Sequence, residues 1–258
     1  MEISVVTDSA EIEKFMDIIK SAWASDNAIY QFYDTLHSMA YHGGFLLGAY
    51  DDNEMVGMSF SYPGFRNNKV YLYSHMTGVI KNKKYSDVGY KLKMKQKELA
   101  IQYGYNLIAW TFDPMMSLNG YFNLNKLGAL SRTYIDNFYG TMNDGLNRGV
   151  PTDRLVAEWY INDSYDKSYE KPEYINSIDD DNIYFNEIKS DIIALRIFNN
   201  YAELKNDNLN KAIKIKLEYR KIFHELLNKN YTVINFDKSS YSYIFKKDYK
   251  INEKNIFS

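Results

Sequence analysis

Between residues 77 and 92 the chain reads Thr77-Gly78-Val79-Ile80-Lys81-Asn82-Lys83-Lys84-Tyr85-Ser86-Asp87-Val88-Gly89-Tyr90-Lys91-Leu92. An apolar strand runs out into a lysine-rich loop, and the loop runs into a helix. A helix start leaves several main-chain N–H groups without carbonyl partners, and the helix dipole adds positive potential there. Such a place suits a phosphate or pyrophosphate. Gly89 removes a side chain where the backbone must come close to the ligand, and Lys81, Lys83, Lys84 and Lys91 add mobile positive charge. On the strand before the loop, His75 alternates with Tyr73, Thr77 and Val79, so all four are expected on one face. Imidazole, with an ordinary pKa of about 6.5, suits proton abstraction near neutrality. A buried, hydrogen-bonded strand histidine fits the same position equally well. Asp113, at the carboxyl end of the next strand, can orient a base, bind a cationic acceptor, or simply make an Asp-Pro turn with Pro114. The connection 140–153 is long for its place and carries Asn143, Asp144, Asn147, Arg148 and Asp153, a polar density that points to recognition.

The elements that must hold these groups can be read from the pattern. Asp8-Ser9-Ala10-Glu11 has capping-box spacing, and Ile12, Phe15, Met16, Ile19 and Trp23 follow at helical intervals after a short strand at 3–6. A second helix is expected over 28–41, with Ile29, Phe32, Leu36 and Met39 on one side and Gly43-Gly44 stopping it. Apolar runs at 45–50 and 55–62 around Asp51-Asp52-Asn53-Glu54 make a hairpin, ended by Pro63-Gly64. A longer strand at 70–80 leads to the lysine loop and a helix through 103, which Gly104 ends. A strand buried on both faces is expected at 106–112, a shorter helix at 118–127 before Gly128, and extended segments at 133–139 and 155–161.

Residues 162–182 are polar and acidic, hold Pro172 and Asp179-Asp180-Asp181, and read as a linker. Beyond them the expectation is a strand at 183–188, helical material from Asp191, and a helix at 209–227 striped by Ala212, Ile215, Tyr219, Ile222 and Leu226. Two strands at 231–236 and 241–245 complete it. The run Glu98–Tyr105 into its strand is echoed by Glu225–Tyr231 into the next: helix, Gly or Asn, Tyr, buried strand. Either a generic helix-to-strand junction or a degenerate half-repeat accounts for it. The division expected is 1–161, a linker at 162–182, and a smaller α/β lobe at 183–258.

With these elements in order, the sequence resembles the GNAT superfamily of acyl-CoA-dependent N-acyltransferases over roughly residues 1–160, most narrowly a two-lobed prokaryotic branch of it. Lys84 falls on the family's basic loop position, Gly89 on its last glycine, and Leu92 on the first buried helix position. Asn125-Lys126-Leu127-Gly128-Ala129 is similar to the family's segment after its short helix. Trp110-Thr111-Phe112-Asp113-Pro114 and Pro151-Thr152-Asp153-Arg154-Leu155 carry the narrower likeness. Asp87 stands where the family has a first glycine, and Leu124 where it often has an acidic-role tyrosine.

The resemblance implies an α/β fold with a mixed central sheet, two splayed parallel strands (70–80 and 106–112), and flanking helices. It further implies acetyl-CoA or another short acyl-CoA as co-substrate, an amine acceptor, and no metal. Thr77, Gly78 and Val79 would pair with pantetheine amides, with the Val79 N–H near the thioester oxygen. Lys84, Tyr85, Ser86, Asp87, Val88, Gly89 and Tyr90 would hold the pyrophosphate. His75 lies on the strand that often carries the family's base, and Tyr121 is the nearest substitute for the missing acid. A non-catalytic acyl-CoA-binding or scaffold protein is the alternative that Asp87 and Leu124 motivate.

Composition narrows the field from the other side. The 258 residues carry 31 basic and 33 acidic side chains, so no global charge draws the chain to nucleic acid. The stripe Lys91, Lys93, Lys95 and Lys97 reads as a solvated helix face. No cysteine is present, which removes disulfides, thiolate metal sites and cysteine nucleophiles, and the four histidines are scattered. With no apolar run long enough for a membrane span and no signal-like start, a cytoplasmic protein is expected.

Overall fold

Asp8 starts the first helix by accepting main-chain bonds from Ala10 (2.9 Å) and Glu11 (3.3 Å) through Oδ1. This capping carries the chain from β1 (Glu2–Val5) into α1 (Ser9–Trp23). In this computed structural model, residues 1–23, 30–142, 144–145, 147–179 and 182–258 are described. The expected helix start at Ala28 and Ile29, the Phe32 side chain, Asn143, Asp180 and Asp181 lie outside the described residues. The chain forms two compact units. One comprises 1–110, 143–148 and 160–162, the other 111–142, 149–159 and 163–258, so their boundaries differ from the linear division at 161 and 183.

The first unit continues with α2 (Tyr30–Tyr41), β2 (Phe45–Asp51), β3 (Glu54–Arg66), β4 (Lys69–Val79), α3 (Val88–Gln102) and β5 (Leu107–Phe112). Its strands lie in the order β1-β2-β3-β4-β5, antiparallel except for the parallel pair β4–β5. Pro63-Gly64 does not end β3. The strand runs on to Arg66 and turns through Asn67 and Asn68, both with positive φ (47° and 59°). Two left-handed residues make the tight hairpin turn that suits twisted strands. Pro63 is tolerated because the β2 ladder has already ended at Ser61. One face of the sheet packs Met58 and Phe60 against Ile12, Phe15 and Leu36. The other packs Leu47, Ala49 and Val56 against Val88 and Leu92.

The second unit holds α4 (Ser117–Tyr121), a π-helical turn (Phe122–Lys126), β6 (Tyr134–Ile135), β7 (Arg154–Tyr160), β8 (Glu173–Tyr174), β9 (Asn176–Asp179) and β10 (Asn182–Phe185). After these come β11 (Ile192–Arg196), α5 (Tyr201–Asp207), α6 (Leu209–Asn228), β12 (Tyr231–Asp237) and β13 (Ser242–Lys247). A four-stranded sheet runs β12-β13-β11-β8. The segment from Asp191 is therefore a strand, not helical. Five residues, three of them buried, have no period that separates the two. The segment 162–182 is more than a linker. It supplies β8 and β9, and its Lys167 Nζ donates to the carbonyls of Leu124 (2.8 Å), within the π-helical turn, and of Ala129 (2.6 Å), just past it. Burial lowers the Lys167 pKa to about 7.

Among the described residues no helix is long and apolar enough to cross a membrane.

Candidate active site

The centre of β4 is irregular. Phe60 pairs with Met76 and Ser61 with Ser74, so His75 is an extra residue, a β-bulge. A bulge reverses the alternation of the strand on one side of it. Tyr73 and His75 stand with Phe60 and Tyr62 in one aromatic group, ring centroids 5.9 Å from the imidazole. Thr77 instead meets Ser59 at 3.1 Å, and Ser59 accepts from Gln96 of α3. Val79 packs with Val88 and Leu92 of α3. The expected shared face of Tyr73, His75, Thr77 and Val79 is thus split in two. Alternation alone cannot foresee an inserted residue. Burial lowers the His75 pKa below its ordinary value, so the imidazole stays neutral to a lower pH.

From Ser74, just before the bulge, β4 and β5 part. Their parallel ladder consists of Leu72–Ile108 and Tyr73–Ala109, although β4 continues to Val79. Ile80 donates to the Val56 carbonyl at 3.0 Å, so alternation turns the main-chain groups of Met76 and Gly78 toward β3. Those of Thr77 and Val79 turn the opposite way, toward the edge that the β5 ladder no longer reaches. A strand edge of this kind accepts an extended amide-bearing chain. Gly78 is required by packing on its side-chain face, where a Cβ would lie 2.8 Å from the Trp23 ring.

Past β4, a 3₁₀ turn at Lys83–Tyr85 is capped by Asn82, whose side chain accepts from the Lys84 amide at 3.0 Å. The first bond of α3 runs from Lys91 N to Asp87 O at 3.1 Å, so the amides of Val88, Gly89 and Tyr90 precede the helical ladder. A Cβ on Gly89 would meet only Val79 Cγ2, at 3.9 Å. The fold itself therefore does not demand glycine there. Asp87 makes no side-chain cap and pairs with Lys91 at 2.6 Å, which holds its carboxyl below the usual range. Lys84 is bound by Asp51 of β2 at 2.5 Å, and Tyr85 donates to the same oxygen at 3.0 Å. Ser86 is exposed and Val88 fully buried.

Lys93 departs from the expected solvated face. It is 4% exposed, donates to Ser74 Oγ at 2.6 Å, and lies 4.0 Å from the Trp110 ring centroid. The missed signal is helical spacing, which puts Lys93 in register with Gln96 and Ala100, both fully buried.

The other two catalytic candidates belong to the second unit. Asp113 Oδ1 accepts from the Met115 amide at 2.9 Å, the mark of an Asx turn. Its Oδ2 accepts from the fully buried Lys216 at 2.6 Å, with Arg154 at 3.8 Å. Tyr121 closes α4 beneath Lys238, 5.5 Å from the ring. Leu124 is fully buried. In the connection 140–153, Asp144 and Asn147 bond each other at 3.0 Å, and Asp153 is fully buried. Burial pushes the Asp153 carboxyl up, but Arg220 (2.6 and 3.0 Å), the Asn137 amide and the Tyr134 hydroxyl outweigh it and hold it below the usual range. Asp153 thus anchors structure. Lys216 and Arg220, spaced one helical turn apart on α6, were not singled out by sequence. No group of three or more metal-ligating side chains gathers among the described residues.

No family model matches the chain, and no curated protein matches it. Solved structures do. A putative acetyltransferase of the GNAT family from Desulfovibrio desulfuricans aligns with a TM-score of 0.50 at 12% identity, covering 62% of this chain and 98% of that one. An aminoglycoside 6'-acetyltransferase type Ii aligns at 0.49 and 15% identity, covering 62% and 97%. An aminoglycoside 6'-N-acetyltransferase complexed with coenzyme A aligns at 0.49 and 14%, covering 64% and 100%. The first of these, with the parted β4–β5 pair, shows that the chain carries a GNAT fold: a mixed sheet flanked by helices.

Proposed function

We propose that the protein transfers an acetyl or other short acyl group from acyl-CoA to an amine. The observation that carries this is the parting of β4 from β5 after Tyr73 and Ala109, which turns the Thr77 and Val79 main chain to an open edge. The pantetheine arm would lie along that edge, and the pyrophosphate against the amides of Val88, Gly89 and Tyr90. Lys84, Tyr85, Ser86 and Asp87 would line the same turn. The acceptor nitrogen attacks the thioester carbonyl while the Val79 N–H faces the developing oxyanion. The carbon–sulfur bond then breaks, the nitrogen loses a proton, and the thiolate gains one. His75 is the proposed base, since burial keeps its imidazole neutral. Asp113, engaged by Lys216, is better suited to positioning, and Tyr121 is the proposed acid.

A second reading, an acyl-CoA binder without transfer, is favoured by one observation: the buried Leu124 at the place of the family's acid. Isothermal titration with acetyl-CoA, followed by free-thiol release across an amine panel, tests both. Binding with turnover supports transfer, binding without turnover supports the binder, and no binding overturns both.

A further inference from the structure

A regular strand puts residues three apart on opposite faces. Ser74 and Thr77 are three apart on β4, yet both side chains meet polar groups tied to α3. The bulge at His75 lies between them and supplies the extra reversal.

One buried chain of hydrogen bonds joins the two sides of the bulge. Lys93 Nζ of α3 donates to Ser74 Oγ at 2.6 Å and to Gln96 Oε1 at 3.4 Å. Gln96 Nε2 donates to Ser59 Oγ of β3 at 3.2 Å. Ser59 Oγ in turn lies 3.1 Å from Thr77 Oγ1 and 3.3 Å from the Met76 carbonyl. Lys93, Gln96, Ser59 and Ser74 are all buried.

The chain has one direction. Burial lowers the Lys93 pKa to about 7, but ammonium and amine alike hold hydrogens enough for both bonds. Lys93 therefore turns the Gln96 carbonyl toward itself and the Gln96 NH₂ toward Ser59. A hydroxyl gives one hydrogen bond and takes two. Ser59 takes from Gln96 and Thr77 and gives to the Met76 carbonyl, so every position is filled.

This matters because the β5 ladder ends at Tyr73 and Ala109, before the bulge is reached. Beyond that point β3 alone pairs with β4, and a shift of one residue turns every later side chain over. The Thr77 and Val79 main-chain groups would turn with it, away from the open edge. The chain of bonds closes only with the bulge at His75, since only then do Ser74 and Thr77 share a side.

We propose that Gln96, oriented by Lys93, is a positioning residue that holds the β4 bulge and with it the outward aim of Thr77 and Val79. This rests on the reading of that edge as the seat of the acyl-carrying arm. Gln96 itself touches no ligand. It acts through Ser59, on the far side of the strand from the solvent.

The test is titration of the full chain with acetyl-CoA and, separately, with ADP, which has a pyrophosphate and no arm. Gln96→Glu keeps an acceptor for Lys93 but, as a carboxylate, has no hydrogen for Ser59. Ser59→Ala removes a single oxygen from the same chain. Each variant should bind acetyl-CoA about tenfold more weakly, the size of one lost hydrogen bond, while ADP binding stays unchanged. Should Gln96→Glu fail to fold, Ser59→Ala decides alone. If the folded variants bind acetyl-CoA like wild type, or lose both ligands equally, the positioning role is wrong while the acyl-CoA site stands. If wild type binds acetyl-CoA no better than ADP, or binds neither, the arm does not lie on this edge and both readings fall.

Discussion

Lys84 Nζ and Asp51 Oδ2 lie 2.5 Å apart, tying the loop before α3 to the β2–β3 hairpin. In the proposed function, where Lys84 lines the pyrophosphate turn, Asp51 would compete with the phosphate for it. Asp51→Asn is expected to tighten acetyl-CoA binding, measured by titration calorimetry, with the larger gain at low ionic strength because exposed pairs are screened by salt. An unchanged or weaker affinity would show that Lys84 does not reach the ligand.

Gly89 separates folding from binding. Its Cβ position is open, and alanine is favoured over glycine in helices by about 0.5–1 kcal/mol. Gly89→Ala should raise the melting temperature of the free protein yet shrink the further rise that acetyl-CoA produces. Gly89→Glu should abolish that rise by adding bulk and negative charge.

His75→Gln is expected to leave acetyl-CoA binding intact, since the edge of β4 offers main-chain groups, and to slow acyl transfer by about 100- to 10,000-fold. Because burial lowers the imidazole pKa, the wild-type rate should climb through an acid limb whose midpoint lies below about pH 6.5. A midpoint above that value would point to another base. Stability follows the same sign: the neutral, buried form is favoured in the fold, so acidification from about pH 6.5 toward the lowered pKa should destabilise the protein.

Lys93→Met should stabilise the protein near pH 7 by an amount on the order of a few kcal/mol. The wild-type folded pKa lies below the unfolded one, so wild-type stability rises with pH between about 7 and about 10.4. The advantage of methionine should therefore shrink across that window in urea unfolding.

Lys216→Met strands the Asp113 carboxylate and should cost about 3–5 kcal/mol of stability. In a double-mutant cycle, adding Asp113→Asn should recover part of this loss. Additive losses would mean that the two side chains do not support each other.

Much of the architecture could be read from pattern. Periodicity located α1, the hairpin, the lysine loop and α6, because each is an amphipathic or capped element whose signal is local. Long-range relations were less legible. The bulge at His75 depends on how β4 meets β3, and no residue type within β4 announces it. Asp153 looked like a recognition residue because its partner Arg220 lies 67 positions away. Lys93 looked solvated because its neighbours Lys91, Lys95 and Lys97 drew attention to charge, while helical spacing put it with Gln96.

The interleaving of the two units bears on how the chain matures on the ribosome. Strands β1 to β4 and helix α3 are complete once residue 102 has emerged. Ser131, by contrast, bridges Val233, Tyr243 donates to the Pro114 carbonyl at 2.8 Å, and Asp113 awaits Lys216. Residues 111–142 are thus synthesised long before the strands that complete their unit, and their apolar faces stay uncovered in the interval. That interval is the period of greatest exposure to aggregation and to chaperone capture. A stop codon near residue 161 would make it permanent.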